Sequence, residues 1–280
     1  MAEREPSAAE AARFMDLGMP DYAYMFGFLQ ADGHLGQGPG HKGQLTLEVS
    51  VRDIDLLYRF KQLTPYNSSV TERIRSTNYA ESHHSATWRL CSSEARATLN
   101  GLGMPYGPKS KKIAPPNGVV SHRDYLRGLV DADGSVGEAE GGVPFISLTT
   151  SSTAISLYLC SYAGRLTGVT REPKRNTRDQ VYNVTYYKEA AQLLCANLYY
   201  PGCLSLGRKQ VKAETAASWV RPASMRQWPA RRSWTPQEDE TLLRTSDPVA
   251  AAQELGRTEK SCYIRLWRLR NGRLLPPSNQ

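Results

Sequence analysis

Cysteine is scarce in this chain of 280 residues, and no apolar run reaches membrane length. The five cysteines, an odd number without a CxxC pair, exclude a disulfide framework and a zinc ribbon. Cys91, Cys160, Cys195, Cys203 and Cys262 read instead as small core residues kept reduced. No stretch approaches the roughly eighteen apolar residues that a spanning helix needs. The first ten residues mix acids, alanines and one proline, which provides no export signal. His34, His41, His83, His84 and His122 lack metal-ligand spacing. A soluble, intracellular chain is expected. What is abundant is positive charge: a net +8 favours an anionic partner without naming it. The length admits one large or two to three small domains.

Two segments about a hundred residues apart nearly duplicate each other. Met25-Phe-Gly-Phe-Leu-Gln-Ala-Asp32-Gly33 reads as an apolar helix closed by Asp-Gly, and Leu126-Arg-Gly-Leu-Val-Asp-Ala-Asp133-Gly134 repeats it. Each carries a glycine, Gly27 or Gly128, four positions before Ala31 or Ala132. Small residues four apart share a helix face and admit another backbone closely. The final glycine suits a helix end. If the two helices pack on each other, Asp32 and Asp133 arrive side by side. Like charges at short range resist joint ionisation, so a shared divalent metal is the expected resolution.

The duplication extends further. Residues 44–51 alternate apolar and polar with a period of two, as a half-buried strand does. A glycine-rich turn at 36–43 precedes them. Residues 53–63 read as a helix, 70–75 and 86–91 as strands, and 93–102 as a second helix. The second copy runs in the same order: a hairpin at 134–138 and 145–150, a helix at 153–166, strands at 169–174 and 181–187, and a helix at 189–198. Each unit is therefore expected as α-β-β-α-β-β-α, giving an α+β fold whose antiparallel sheets form a saddle. Asp32 lies 77 residues before Lys109, and Asp133 lies 76 before Lys209. Matched basic clusters at matched distances point to duplication, with pseudo-twofold symmetry in place of a dimer's twofold.

Paired aspartates at a symmetry axis, each with a lysine cluster, suit phosphodiester hydrolysis. Metal ions would bridge carboxylates and phosphates while activating water, and lysines would offset charge in the transition state. Two related carboxylates also match the two antiparallel strands of a duplex. The outer sheet faces would read that duplex. Gln44, Thr46, Glu48 and Ser50 are placed on one strand, Thr71, Arg73 and Arg75 on the next, with Arg89 nearby. The second half offers Ser147, Thr149, Arg171, Asn183, Thr185 and Tyr187. Lys174, Arg175 and Arg178 lie in a loop suited to phosphate contact.

The two motifs resemble those of the LAGLIDADG homing endonucleases in their single-chain form, over about residues 21–217. The resemblance implies a site-specific nuclease that cuts both strands of a long duplex DNA target with magnesium. It implies that Asp32 and Asp133 share two or three divalent ions, helped by the main-chain carbonyls of Ala31 and Ala132. Gln30 stands where the family has another acid. The family's active-site lysines map onto Lys109, with Lys111 and Lys112 as neighbours that fit as well, and onto Lys209. A monomer in the cytoplasm, nucleoid-associated and of bacterial or phage origin, is the matching expectation.

Domain boundaries follow: a tail at 1–20, repeats at 21–117 and 118–219, a basic linker at 220–232 and a module at 233–275. In that module Pro236 and the acids after it start a helix. Residues 248–255 form a second helix closed by Gly256, and Thr258 caps a third. Three short helices, the last one basic, suit a helix-turn-helix reader that resembles a Myb/SANT-like domain. Trp234 and Trp267 lie near its usual aromatic positions, and Ser261, Arg265 and Arg268 are its candidate DNA contacts. Rival readings are a DNA-binding regulator without catalysis and an intron maturase that binds RNA. Calcium loops are disfavoured by Val136 and Gly137, and an intein by the absence of splice-junction residues at the chain ends.

Overall fold

The computed structural model describes residues 6–36, 43–77, 80–225 and 234–271. Most of the expected turn at 36–43, most of the linker and the last residues of the module lie outside them. The chain divides into two compact units, Met1–Arg221 and Pro222–Gln280.

The first unit begins with a short helix, α1 (Ala8–Arg13), closed at its start by a Ser7–Glu10 capping box. It leads Phe14, Met15 and Leu17 into the core, so the segment expected as a tail is partly built in. Helix α2 (Pro20–Asp32) carries the first motif. Residues 23–30 are all buried in it, and a helix that is apolar nearly all round has nowhere to go but the interior. A four-stranded antiparallel sheet follows, built from β1 (His34–Leu35), β2 (Leu45–Ser50), β3 (Ser68–Thr77) and β4 (Ala80–Leu90), in the order β1-β2-β4-β3. Helix α3 (Ile54–Leu63) joins β2 to β3, and α4 (Ser93–Gly101) follows β4. Phe60 of α3 stacks edge-on against Phe28 at 5.9 Å and Trp88 at 6.2 Å, tying α2, α3 and β4 together.

Helix α5 (His122–Asp133) carries the second motif and crosses α2. A three-stranded antiparallel sheet follows, β5 (Gly134–Ala139), β6 (Val143–Thr150) and β7 (Tyr182–Tyr187) in that order. Helix α6 (Thr153–Thr167) links β6 to β7, and α7 (Lys188–Leu198) and α8 (Gly207–Ala217) complete the unit. The architecture is α+β with antiparallel sheets. The second copy departs from the expected pattern in two respects: α8 follows its last expected helix, and residues 169–174 are not a strand. They run without a sheet partner, and only Arg175 bridges to Tyr182. Pro173 lacks the N–H that a ladder needs. Arg171 and Arg175 instead stack over the rings of Tyr186 and Tyr182, at 5.1 and 4.7 Å.

The second unit holds α9 (Pro236–Thr245), α10 (Pro248–Leu255) and α11 (Glu259–Arg270). Thr235 caps α9 in a box with Glu238. Leu242, Ala251, Ala252, Cys262, Leu266 and Leu269 form its core. Two ion pairs lock the helices, Arg257 to Glu238 at 2.7 Å and Arg265 to Asp239 at 2.5 Å. No helix among the described residues is long and apolar enough to cross a membrane.

Candidate active site

The crossing of α2 and α5 is set by glycine. A Cβ at Gly27 would overlap the carbonyl oxygen of Tyr125, and one at Gly128 would overlap that of Tyr24. The backbones touch where any side chain would hold them apart. Since 101 residues separate Gly27 from Gly128 and Tyr24 from Tyr125, the contact is symmetric about the crossing point. It brings the last residues of the two helices together.

Asp32 and Asp133 end those helices, and their carboxyls lie within hydrogen-bonding reach of each other. Both reach solvent, yet the surrounding protein removes much of their hydration. That loss, reinforced by the Asp133 charge and opposed by Lys109 and Lys209, raises Asp32 to about 6. Burial also raises Asp133, against the pull of both lysines.

Each helix end is closed by an ammonium. Lys109 Nζ donates to the carbonyl of Gln30 at 2.6 Å and to that of Ala31. Lys209 Nζ donates to Val130, Asp131 and Gly134 at 2.7, 2.6 and 2.8 Å. A cation at a helix C-terminus meets the negative end of the dipole. Burial lowers Lys109, and it lowers Lys209 to about 8. Lys111 and Lys112 are exposed, so Lys109 is the member of its cluster that reaches the aspartates' helix ends. Lys209 sits near the start of α8, a helix beyond the last element expected from the sequence.

The residue two before each aspartate is buried. Gln30 accepts from Tyr125 Oη at 2.5 Å and donates through Nε2 to the carbonyls of Gly103 and Ala114, both at 3.1 Å. Asp131 accepts from Tyr24 at 2.8 Å, Tyr199 at 2.6 Å and the Leu206 N–H at 2.7 Å. These partners were missed by sequence reading. Extending the repeat one position upstream, to Tyr24 and Tyr125, was the available signal.

The register of the first sheet places Thr46, Arg89 and Ser69 in one cross-strand row, and Glu48, Thr87 and Thr71 in the next. Residues directly opposite share a face. Ser50 and Arg73 follow opposite Ser85, and Arg75 opposite His83. All lie on the face away from Leu45, Leu47, Trp88 and Leu90. Gln44 is exposed just before β2. Arg75 is paired with Glu48 at 2.9 Å, so those two partly answer each other. In the second sheet Ser147 and Thr185 are opposite, as are Thr149 and Asn183, whose side chains bond at 2.8 Å. Tyr187 shares that face.

Three of the candidate arginines are engaged by other groups of the protein. Arg171 is exposed and stacks on Tyr186, whose own side chain is on the covered face. Arg175 donates to the Ser151 carbonyl at 3.1 Å. Arg265 is spent on Asp239, with its guanidinium 5.6 Å from the Trp234 ring. Lys174, Arg178 and Arg268 are exposed, and Ser261 is partly so; Arg178 pairs with Asp179.

Residues 121–197 match the model of the LAGLIDADG-like domain. Among curated proteins, the tRNA-splicing ligase RtcB of Pyrococcus abyssi is 33% identical over 145 residues, covering 47% of this chain and 15% of that protein. Its counterpart in Pyrococcus furiosus is 28% identical over 160 residues, 52% of this chain and 16% of that one. The chain thus spans about a sixth of the curated relatives it matches. Among solved structures, the homing endonuclease I-WcaI bound to its DNA recognition sequence superposes with a TM-score of 0.50 at 13% identity, covering 73% of this chain and 90% of that one. At that identity the likeness is one of fold.

Proposed function

We propose that this chain, which carries a LAGLIDADG-like domain on a fold shared with a homing endonuclease, is a metal-dependent nuclease that cuts both strands of a specific duplex DNA site. One observation supports this reading most: Asp32 and Asp133 lie against each other at the ends of two crossed helices, each end held by a lysine. Two carboxylates that repel, next to main-chain carbonyls, are hard oxygen donors, and this donor chemistry fits magnesium. Among the described residues no group of three His, Cys, Asp or Glu adds to them. The ligands would be Asp32 and Asp133, with the Ala31 and Ala132 carbonyls. When bound, magnesium supplies an activated water and stabilises the leaving oxygen.

The chain's own groups do the rest. Asp32, at about 6, is largely ionised near neutral pH, and ionised carboxylates at these two helix ends can hold cations between them. Lys109 uses two of its three donors on carbonyls, which leaves one for a phosphate oxygen or an ordered water. Lys209 uses all three and acts through its charge. The open sheet faces bring Gln44, Thr46, Glu48, Ser50, Arg73, Arg75, Arg89, Asn183 and Thr185 to the bases, and Lys174 and Arg178 to phosphates. The three-helix unit adds a second DNA contact through Ser261 and Arg268. The protein acts as a monomer, since its duplicated halves replace a dimer.

The saturation of Lys209 favours one alternative, a DNA-binding regulator that does not cut. Selection of cleaved ends from a randomised duplex library, in magnesium or in EDTA, separates the two. Magnesium-dependent cuts at a common sequence support the nuclease. Enrichment of bound sequence without cuts supports the regulator.

A further inference from the structure

Gln30 and Asp131 occupy equivalent positions, 101 residues apart, and both are fully buried. Each accepts a hydroxyl from the other helix, Tyr125 to Gln30 and Tyr24 to Asp131. Each side chain also bonds to the segment that carries one of the two lysines, and Asp131 accepts from Tyr199 besides. Gln30 Nε2 donates to Gly103 and Ala114, the two ends of the loop containing Lys109. The Asp131 carboxylate accepts the Leu206 N–H at the start of α8, three residues before Lys209. Their main-chain carbonyls accept the lysine ammoniums themselves.

The chemistry of each side chain fits what its segment presents. The 103–114 loop offers two carbonyl oxygens, which require a donor, and glutamine has one. The start of α8 offers an N–H, which requires an acceptor, and aspartate is one. A second tie crosses between the halves in both cases. Ser152, the cap of α6, donates to the Ile113 carbonyl beside the Lys109 loop at 2.6 Å. Asp53, before α3, accepts from Arg208 next to Lys209 at 3.2 Å. The two lysine segments are thus fixed by separate bonds to separate partners.

We propose that Gln30 and Asp131 are positioning residues, each holding one lysine segment at its own aspartate. Gln30 governs Lys109 and Asp131 governs Lys209, so each controls the cutting of one strand. The strand assignment rests on the nuclease reading; the positioning does not.

Gln30→Glu sets a carboxylate against two carbonyl oxygens, and Asp131→Leu removes the acceptor for Leu206. Asp131→Asn keeps an acceptor oxygen and is the conservative control. Two measurements on the full chain test this. Hydrogen–deuterium exchange of the free protein should show residues 103–114 exchanging at least tenfold faster in Gln30→Glu, with 204–212 unchanged. Asp131→Leu should give the reverse, and Asp131→Asn should lie close to wild type. On an end-labelled selected site, Gln30→Glu should slow one strand at least tenfold and Asp131→Leu the opposite strand, with DNA affinity retained. Faster exchange throughout the chain, or none in the assigned segment, overturns the positioning. Equal slowing of both strands by each variant overturns the assignment of one residue to one strand. If wild type does not cut while exchange follows the expected pattern, the positioning stands and the nuclease reading fails.

Discussion

Tyr24 of the first helix donates its hydroxyl to the buried carboxylate of Asp131 in the second, at 2.8 Å. The reciprocal pair, Tyr125 to Gln30, repeats this with the helices exchanged. The two bonds straddle the glycine contact and fix the helices against sliding. Tyr24→Phe leaves Asp131 with Tyr199 and the Leu206 N–H, and is expected to cost about 1 kcal/mol. Tyr125→Phe leaves a buried amide oxygen with no remaining donor among the described residues, and is expected to cost about 1–3 kcal/mol. Chemical denaturation measures both, and the opposite ranking would contradict this pairing.

Gly27→Ala and Gly128→Ala test the crossing itself. In an ordinary helix interior such a change gains about 1 kcal/mol of helix propensity. Here the new methyl meets the carbonyl of Tyr125 or Tyr24, which belongs to a buried backbone. The helices must separate, and a loss of at least about 2 kcal/mol is expected. An unchanged or raised melting temperature would show that the helices do not meet there.

The Asp32 carboxyl predicts a pH signature. Its folded-state pKa of about 6 lies above the ordinary carboxylate value, because of burial first and the Asp133 charge second. The folded state therefore binds this proton more tightly than the unfolded chain. Its contribution to stability is fully present below about 4 and is lost as pH rises through about 6. Melting temperatures of wild type should carry this decline, and Asp32→Asn should flatten it. Magnesium should stabilise wild type above pH 6 and have little effect at pH 5.

The three-helix unit separates structural from contact arginines. Arg265→Ala leaves Asp239 buried and unpaired, and should destabilise that unit by about 3–5 kcal/mol. Arg268→Ala should leave its melting unchanged, weaken DNA binding and reduce the salt slope by about one. Calorimetry of the full chain and binding at several salt concentrations distinguish them.

Much of this was legible because duplication writes the same instruction twice. Asp32 and Asp133, like Gly27 and Gly128, are 101 residues apart, and Lys109 and Lys209 differ from that offset by only one. Strict alternation at 44–51 likewise marks the β2 face. What escaped reading depends on partners. Residues 169–174, expected as a strand, include Pro173, which cannot donate to a ladder, and Arg171 and the following Arg175 meet tyrosine rings instead. Arg175 and Arg265 look like free cations in sequence and are bound inside the fold. Charge alone does not reveal which carbonyl or carboxylate will answer it. The buried roles of Gln30 and Asp131 likewise depend on loops that are distant in the chain.

The most direct measurement uses the DNA site selected with magnesium and compares cleavage and binding for Asp32→Asn and Asp133→Asn. If the two aspartates share the metal, either change should reduce cleavage of that site at least a thousandfold, about 4 kcal/mol of transition-state stabilisation, while DNA affinity stays within a few-fold of wild type. Cleavage by both variants at the wild-type rate would contradict a shared metal centre at Asp32 and Asp133.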